Sequence, residues 1–365
     1  MELTVKPSNV FNIVGRAIEA KRPIFIWGPP GIGKSDIVSQ ITDDLGDSIM
    51  IDMRLALMEP TDLRGYPFRN PENNQMEWAP PADLPTEEFA SEFNKVVLFL
   101  DELNSAPPSV QAAAYQLVLN RRIGQYVLPD NVVMIAAGNR ETDRGVTYRM
   151  PAPLANRFRH INLGIDFGEW QNWAINHDIH PDVLGYLSYS KQDLFDFDPK
   201  TSSQAFATPR SWESVSSMLY VPGFNDADNF EQKAEIAGAV GEGMAGKFIE
   251  HRRIASHLPN PTDILKGDVK KLSEKLSKEI SAKYSLVVGM TYELNSMYKD
   301  NGTKGDFKSH FNNAIRFAYD NFEPEMVVLM FKTIMTDYKI KFNIRTDLDK
   351  DVYKVFSERY TKYIV

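Results

Sequence analysis

Apolar positions along this chain follow two regimes that change near residue 166. Before that point, short runs apolar at every position alternate with segments apolar at every third or fourth position. Val10, Ile13, Val14, Ala17 and Ile18 keep helical spacing after a cap at Ser8 or Asn9. Ile24–Trp27, Ser48–Asp52, Val96–Leu100, Val132–Ala137 and Ile161–Leu163 read as buried strands. Between them, helices are expected from Gly33 to about Leu45, after Pro107 with Val110, Ala114 and Leu117 on one face, and briefly through Pro153–Phe158. This alternation predicts an α/β fold: a parallel sheet covered by helices, with its ligand at the carboxyl ends of the strands.

Two stretches depart from that pattern. Ala56–Pro85 holds six prolines, a turn at Gly65–Pro67 and a polar tip at Pro71–Gln75, so an inserted hairpin is expected at about 56–85, followed by a short helix starting at Thr86. Beyond Asp166 only helical spacing remains, in Trp170, Trp173 and Ala174, in Val183, Leu184 and Leu187, in Val215, Met218 and Leu219, and in one helix over Ala234–Ile254. Pro259 and Pro261 read as a linker, after which Leu265, Val269, Leu272, Leu276 and Ile280 hold one helical face for about four turns. Three regions follow: an α/β domain over 1–165, an all-α domain over 166–258 and a further helical region over 262–365.

The candidate chemistry sits where the first strand ends. Gly28, Pro29, Pro30, Gly31, Ile32, Gly33, Lys34 and Ser35 match the spacing of a phosphate-binding loop between a strand and a helix, the context that such a loop requires. Glycines let backbone N–H groups turn toward phosphate oxygens, and the helix N-terminus adds its positive dipole end. Lys34 would reach the β and γ phosphates of ATP, and the Ser35 hydroxyl would coordinate Mg2+. Five apolar residues lead directly into Asp101 and Glu102. At a strand end beside a phosphate loop, Asp101 would bind the metal and Glu102 would polarise the attacking water. Asn139, after the strand Val132–Ala137, emerges at the same edge and suits a hydrogen bond to that water or to the γ phosphate.

Composition narrows the partners. The chain has 365 residues, 43% of them hydrophobic and 25% charged, which suits a folded protein of two or three domains. A formal charge of -8 argues against general affinity for nucleic acid, while leaving a local basic groove open. The absence of cysteine excludes disulfides and thiolate metal sites. No apolar run approaches a membrane span, and Met-Glu-Leu-Thr lacks the layout of a secretion signal, so a cytoplasmic protein with no membrane contact is expected.

GPPGIGKS, VVLFLDE, AAGN and ATPRSW together resemble an ATPase of the AAA+ superfamily. TDLRGYP at Thr61–Pro67, DELNSAPPSVQAA at Asp101–Ala113, LPDNVVMIAAGN at Leu128–Asn139 and the loop ending in MPAPLANRF resemble its MoxR branch. The resemblance covers about Val10–Ala255. It implies a magnesium-dependent ATPase forming a ring, commonly a hexamer, with ATP at each interface, the insertion typical of that clade at 56–85 and a helical lid after Asp166. A frequent partner in that family carries a von Willebrand factor A domain. The likeness assigns Arg157, in LANRF, to the neighbouring subunit's site, and Arg210, in ATPRSW, to the γ phosphate from the lid. Asn156 stands where the family pattern has an acid, which keeps Arg159 and Arg149 open as substitutes.

Three functions remain open on this reading: remodelling or assembly of a protein partner, a nucleic-acid motor or loader, and a nucleotide-gated assembly protein with slow turnover. Other features read as structural. His177 and His180 lack a third ligand, Asp193, Asp196 and Asp198 lack the glycine and glutamate of a calcium loop, and the lysines of Lys266–Lys283 alternate with acids as on a solvated face. Arg64, Tyr66 and Phe68 either pack the inserted hairpin or grip a substrate.

Overall fold

Strand β6, Lys95–Asp101, has five consecutive fully buried residues, Val96 to Leu100, because both of its faces are covered. The computed structural model describes residues 3–143, 147–200 and 204–360. The centre of the expected Glu141–Met150 loop and the last five residues of the 262–365 region lie outside these. The chain divides into two compact units, Met1–Asp166 with Asp198–Ser202, and Phe167–Phe197 with Ser203–Val365.

The first unit contains β1 (Thr4–Val5), α1 (Pro7–Glu19), β2 (Ile24–Trp27), α2 (Lys34–Asp44), β3 (Ser48–Arg54), α3 (Pro60–Arg64), β4 (Tyr66–Arg69), β5 (Met76–Ala79) and α4 (Glu87–Ser91). After β6 come α5 (Pro108–Asn120), β7 (Arg122–Ile123), β8 (Tyr126–Val127), β9 (Val132–Gly138), α6 (Ala152–Ala155) and β10 (Arg159–Leu163). Six strands form one sheet in the order β1-β10-β2-β9-β6-β3, and every pairing in it is parallel. Val96, Leu98 and Leu100 join Val110, Ala114 and Leu117 of α5 in one core, while α2 packs on β3, β6 and β9. The α/β fold with a helix-covered parallel sheet is therefore as the apolar periods predict.

The inserted hairpin is present as β4 and β5, antiparallel, with Tyr66 opposite Ala79. Thr86 caps α4, its hydroxyl accepting from Phe89 N at 3.1 Å. Two features escaped the periodic reading. β1 and the β7–β8 hairpin have only two residues per strand, too few to show a period. Pro107 stands at the cap position of α5 and Pro108 takes its first turn.

The second unit is all-helical: α7 (Phe167–Asn176), α8 (Pro181–Tyr189), α9 (Pro209–Leu219), α10 (Asn229–Val240), α11 (Glu242–Ala255), α12 (Pro261–Lys266), α13 (Glu274–Ser277), α14 (Ile280–Asn301), α15 (Phe307–Asn321), α16 (Pro324–Lys332), α17 (Ile344–Asp347) and α18 (Lys350–Arg359). Two continuous helices expected here are broken. Gly241, at φ 89° and ψ 153°, separates α10 from α11 within Ala234–Ile254. Gly267, at φ 88°, ends α12, so Val269 and Leu272 reach the core from an irregular segment rather than from one helix through Ile280. A glycine in the left-handed region terminates a helix at no steric cost, which outweighs the periodic signal on either side.

Two more readings change in the second unit. Pro261 begins α12 with Asn260 as its cap, Thr262 N donating to Asn260 Oδ1 at 2.9 Å, and its ring lies against Gly289 of α14. Lys283 is 5 % exposed and meets Glu323 at 2.6 Å, so this end of the lysine series is buried and paired. His180 accepts from Asp182 N at the start of α8, and His177 stacks on Trp173, which gives both histidines structural contacts. No helix among the described residues is long and apolar enough to cross a membrane.

Candidate nucleotide site

Parallel pairing brings the carboxyl ends of β2, β9 and β6 to one edge, and the residues after each strand meet there. Gly31 and Gly33 adopt φ 74° and 86°, the left-handed region in which a side chain is strained, so the loop between β2 and α2 requires glycine at both positions. Gly33 caps α2 and has no side chain to offer the first-turn N–H groups, which stand at the positive end of the helix dipole.

Lys34, the first residue of α2, turns back over the loop. Its Nζ donates to Gly28 O at 2.8 Å, to Pro29 O at 3.0 Å and to Asn139 Oδ1 at 2.9 Å. The next residue, Ser35, donates from Oγ to Asp101 Oδ2 at 3.1 Å. Asp101 Oδ1 accepts from Glu102 N at 2.9 Å. Glu102 itself is exposed at φ 55°, a conformation that costs a side-chain-bearing residue roughly 1–2 kcal/mol. Backbone strain of this kind collects at functional turns.

Lys34, Ser35, Asp101, Glu102 and Asn139 are thus assembled on one edge. Arg157 is not brought to it: β10 begins at the opposite edge, Arg159 pairing with Ile24, and Arg157 stands exposed in the turn just before. Arg149 is also exposed, on a segment whose Tyr148 N donates to Asn104 O at 2.7 Å, beside the turn after β6. Arg210 opens α9 in the second unit, exposed.

Two residues near the site gave no signal in sequence. Asp52 and Arg54 sit on β3 beside β6, with Arg54 opposite Asp101 in register and its Nε 3.6 Å from Asp52 Oδ2. Burial first, and then the Asp101 carboxylate, pushes the Asp52 carboxyl above its ordinary range. Only the pairing of β3 with β6 reveals this neighbourhood, since nothing in the run Ser48–Arg54 marks its end as close to Asp101.

The donor set fits a magnesium nucleotide. Gly31 and Gly33 form a bend that L side chains would strain, an ammonium lies along it, and a hydroxyl and a carboxylate stand within 3.1 Å of each other as hard oxygen donors. Residues 23–158 match the family model described as AAA domain (dynein-related subfamily). Over 192 residues the chain is 27% identical to midasin of Giardia intestinalis, a match covering 50% of this chain and 4% of midasin. Among solved structures, NtrX of Brucella abortus in complex with ADP aligns with 90% of this chain and 68% of its own, at 15% identity and a TM-score of 0.39. The RuvB Holliday junction branch migration motor of Thermotoga maritima aligns with 89% of this chain and 87% of its own, at 16% identity and a TM-score of 0.35. The sequence match thus falls on the parallel sheet that gathers a phosphate-type loop and two acids at one edge, and over residues 23–158 the chain is similar to an AAA domain of the dynein-related subfamily.

Proposed function

We propose that this chain is a MoxR-type AAA+ ATPase that couples hydrolysis of Mg-ATP at subunit interfaces to the remodelling or assembly of a protein partner. One observation carries the reading: Lys34 bonds Asn139 while Ser35 bonds Asp101, so residues from three strand ends converge on one loop. The motifs at Thr61–Pro67 and Asp101–Ala113 and the β4–β5 hairpin within 56–85 support the MoxR assignment.

The loop amides and the start of α2 bind the phosphate chain, and Lys34 neutralises the β and γ phosphates. Ser35 and Asp101 would hold Mg2+, which supplies charge neutralisation on the phosphate oxygens. Glu102 takes the proton of the attacking water, and Asn139 Nδ2 donates to a γ-phosphate oxygen or to that water. As the resemblance implies, Arg157 would serve the site of a neighbouring subunit, with Arg159 and Arg149 as substitutes, and Arg210 would serve the γ phosphate.

Lys34→Ala should weaken binding of an ATP analogue by about 100-fold or more, as expected when the residue that meets the phosphates is removed. Glu102→Gln should keep analogue affinity within about threefold and lower phosphate release by roughly 10²- to 10⁴-fold. Undiminished release from the Glu102→Gln protein contradicts the assignment. The same variant, trapped with ATP, is the bait for the protein client, for which the resemblance implies a von Willebrand factor A domain.

A further inference from the structure

The turn after β6 holds one buried polar side chain that the mechanism above does not use. Asn104 is 1 % exposed. Its Nδ2 donates to Asn139 O at 2.7 Å, and its own carbonyl accepts from Tyr148 N at 2.7 Å. The preceding residue, Leu103, donates its N–H to Ala137 O at 3.2 Å. Within the turn, the Glu102 carbonyl accepts from Ser105 N at 2.8 Å and from Ala106 N at 3.1 Å. The turn that carries Glu102 is therefore gripped twice by the end of β9, once by main chain and once by the Asn104 amide. Two bonds to carbonyls two residues apart prevent the rotation that a single bond would allow.

β9 is shaped to admit this amide. A Cβ on Gly138 would lie 2.0 Å from Asn104 Oδ1 and 2.9 Å from Phe25 Cζ, so the side chain occupies space that only a glycine leaves. Asn104 Oδ1 has no hydrogen-bond partner among the described residues. An unpaired buried amide oxygen costs free energy, which offsets part of what the Nδ2 bond to Asn139 O contributes. Stability is thus a weak reason for an asparagine here, whereas geometry is a strong one: the amide spans the seam between the base-bearing turn and Asn139.

We propose that Asn104 is a positioning residue for hydrolysis. By tying the Asn139 main chain to the turn of Glu102, it sets the separation between the general base and the amide that meets the γ phosphate. The proposal rests on the ATPase reading above. Alignment matters at this scale because a displacement of about 1 Å at a reacting centre lowers rates by around 10²-fold.

The test compares the full chain with Asn104→Leu, which keeps the shape and removes the donor, and with Asn104→Ala in case the leucine does not fold. Expected are a fall in kcat of about 10- to 100-fold, with KM and affinity for a fluorescent nonhydrolysable ATP analogue within about threefold. Without nucleotide, amide hydrogen exchange should rise in residues 101–106 and 137–140 and stay unchanged in β2. If the wild-type chain hydrolyses ATP and the folded variants match its kcat within about twofold, the inference is overturned and the ATPase reading stands. Equal losses in kcat and analogue affinity also overturn it, since Asn104 would then support binding alone. A wild-type chain that binds the analogue without hydrolysing ATP removes both.

Discussion

His251, on α11, is 4 % exposed, with Nε2 3.0 Å from Ser285 Oγ and no hydrogen-bond partner for Nδ1 among the described residues. Burial pushes its imidazole down to about 4, against the opposing pull of the Asp182 carboxylate. The ring is therefore neutral in the folded chain and titrates near its ordinary 6.5 once unfolded. Its neutral burial supports the fold fully above pH 6.5, and that support drains away as pH falls from 6.5 toward 4. The amount at stake is about 3 kcal/mol. Urea midpoints taken at pH 7, 6 and 5 should fall steadily, and His251→Gln should flatten the slope. A slope unchanged in that variant would assign the acid sensitivity elsewhere. Ion-paired carboxylates act in a separate window: Asp351, held at about 2 chiefly by its hydrogen bond from Arg316, loses its contribution only below its ordinary 3.8.

At the scale of elements, the β4–β5 hairpin depends on one glycine where α3 ends. Gly65 closes α3 by donating its N–H to Thr61 O at 2.7 Å and adopts φ 81°. A Cβ there would lie 1.8 Å from Ala79 O, a backbone atom at the hairpin's base that cannot swing aside. Gly65→Ala should therefore part β4 from β5 at Tyr66 and Ala79, at a cost above about 1 kcal/mol from the positive φ alone. Trypsin cleavage after Arg64 and Arg69 should accelerate by about tenfold, in line with that change in opening free energy. Unaltered cleavage would mean that the hairpin tolerates the displacement. Tyr66 is 64% exposed and Phe68 45%, so these aromatic rings do not serve mainly to pack the hairpin. Arg64 lies over the Trp78 ring at 5.8 Å, a contact inside the insertion.

At the scale of the whole molecule, one chain places Arg157 at the opposite sheet edge from its own Lys34. If Arg157 completes the site of a neighbour, turnover requires assembly. Sizing with a nonhydrolysable ATP analogue should then show a particle several times the mass of the chain. Arg157→Ala should keep analogue binding and lose about 10³-fold in turnover. Mixing Arg157→Ala with Glu102→Gln, each inactive alone, should restore partial activity, because some interfaces pair an intact arginine with an intact base. No restoration in a mixed particle would place the arginine elsewhere, with Arg149 and Arg159 next to be changed.

Local sequence determined whatever follows from short-range sterics and burial. Five apolar residues running into Asp101 read as a covered strand, and glycines at 31 and 33 before Lys34 as a tight bend into a helix, and both are so in the structure. The sheet, the hairpin and the gathering of Lys34, Ser35, Asp101 and Asn139 were legible for that reason. Elsewhere a nearby glycine cut a helix that periodicity would have continued, as at Gly241 and Gly267, and the strands of β7 and β8 were too short to carry a period. Which strand lies beside which was decided by tertiary pairing alone. Asp52 became a neighbour of Asp101, and Asn104 a brace for Asn139, because contacts between strands distant in sequence depend on how sheet edges and side-chain volumes match in three dimensions, and no spacing along the chain encodes that match.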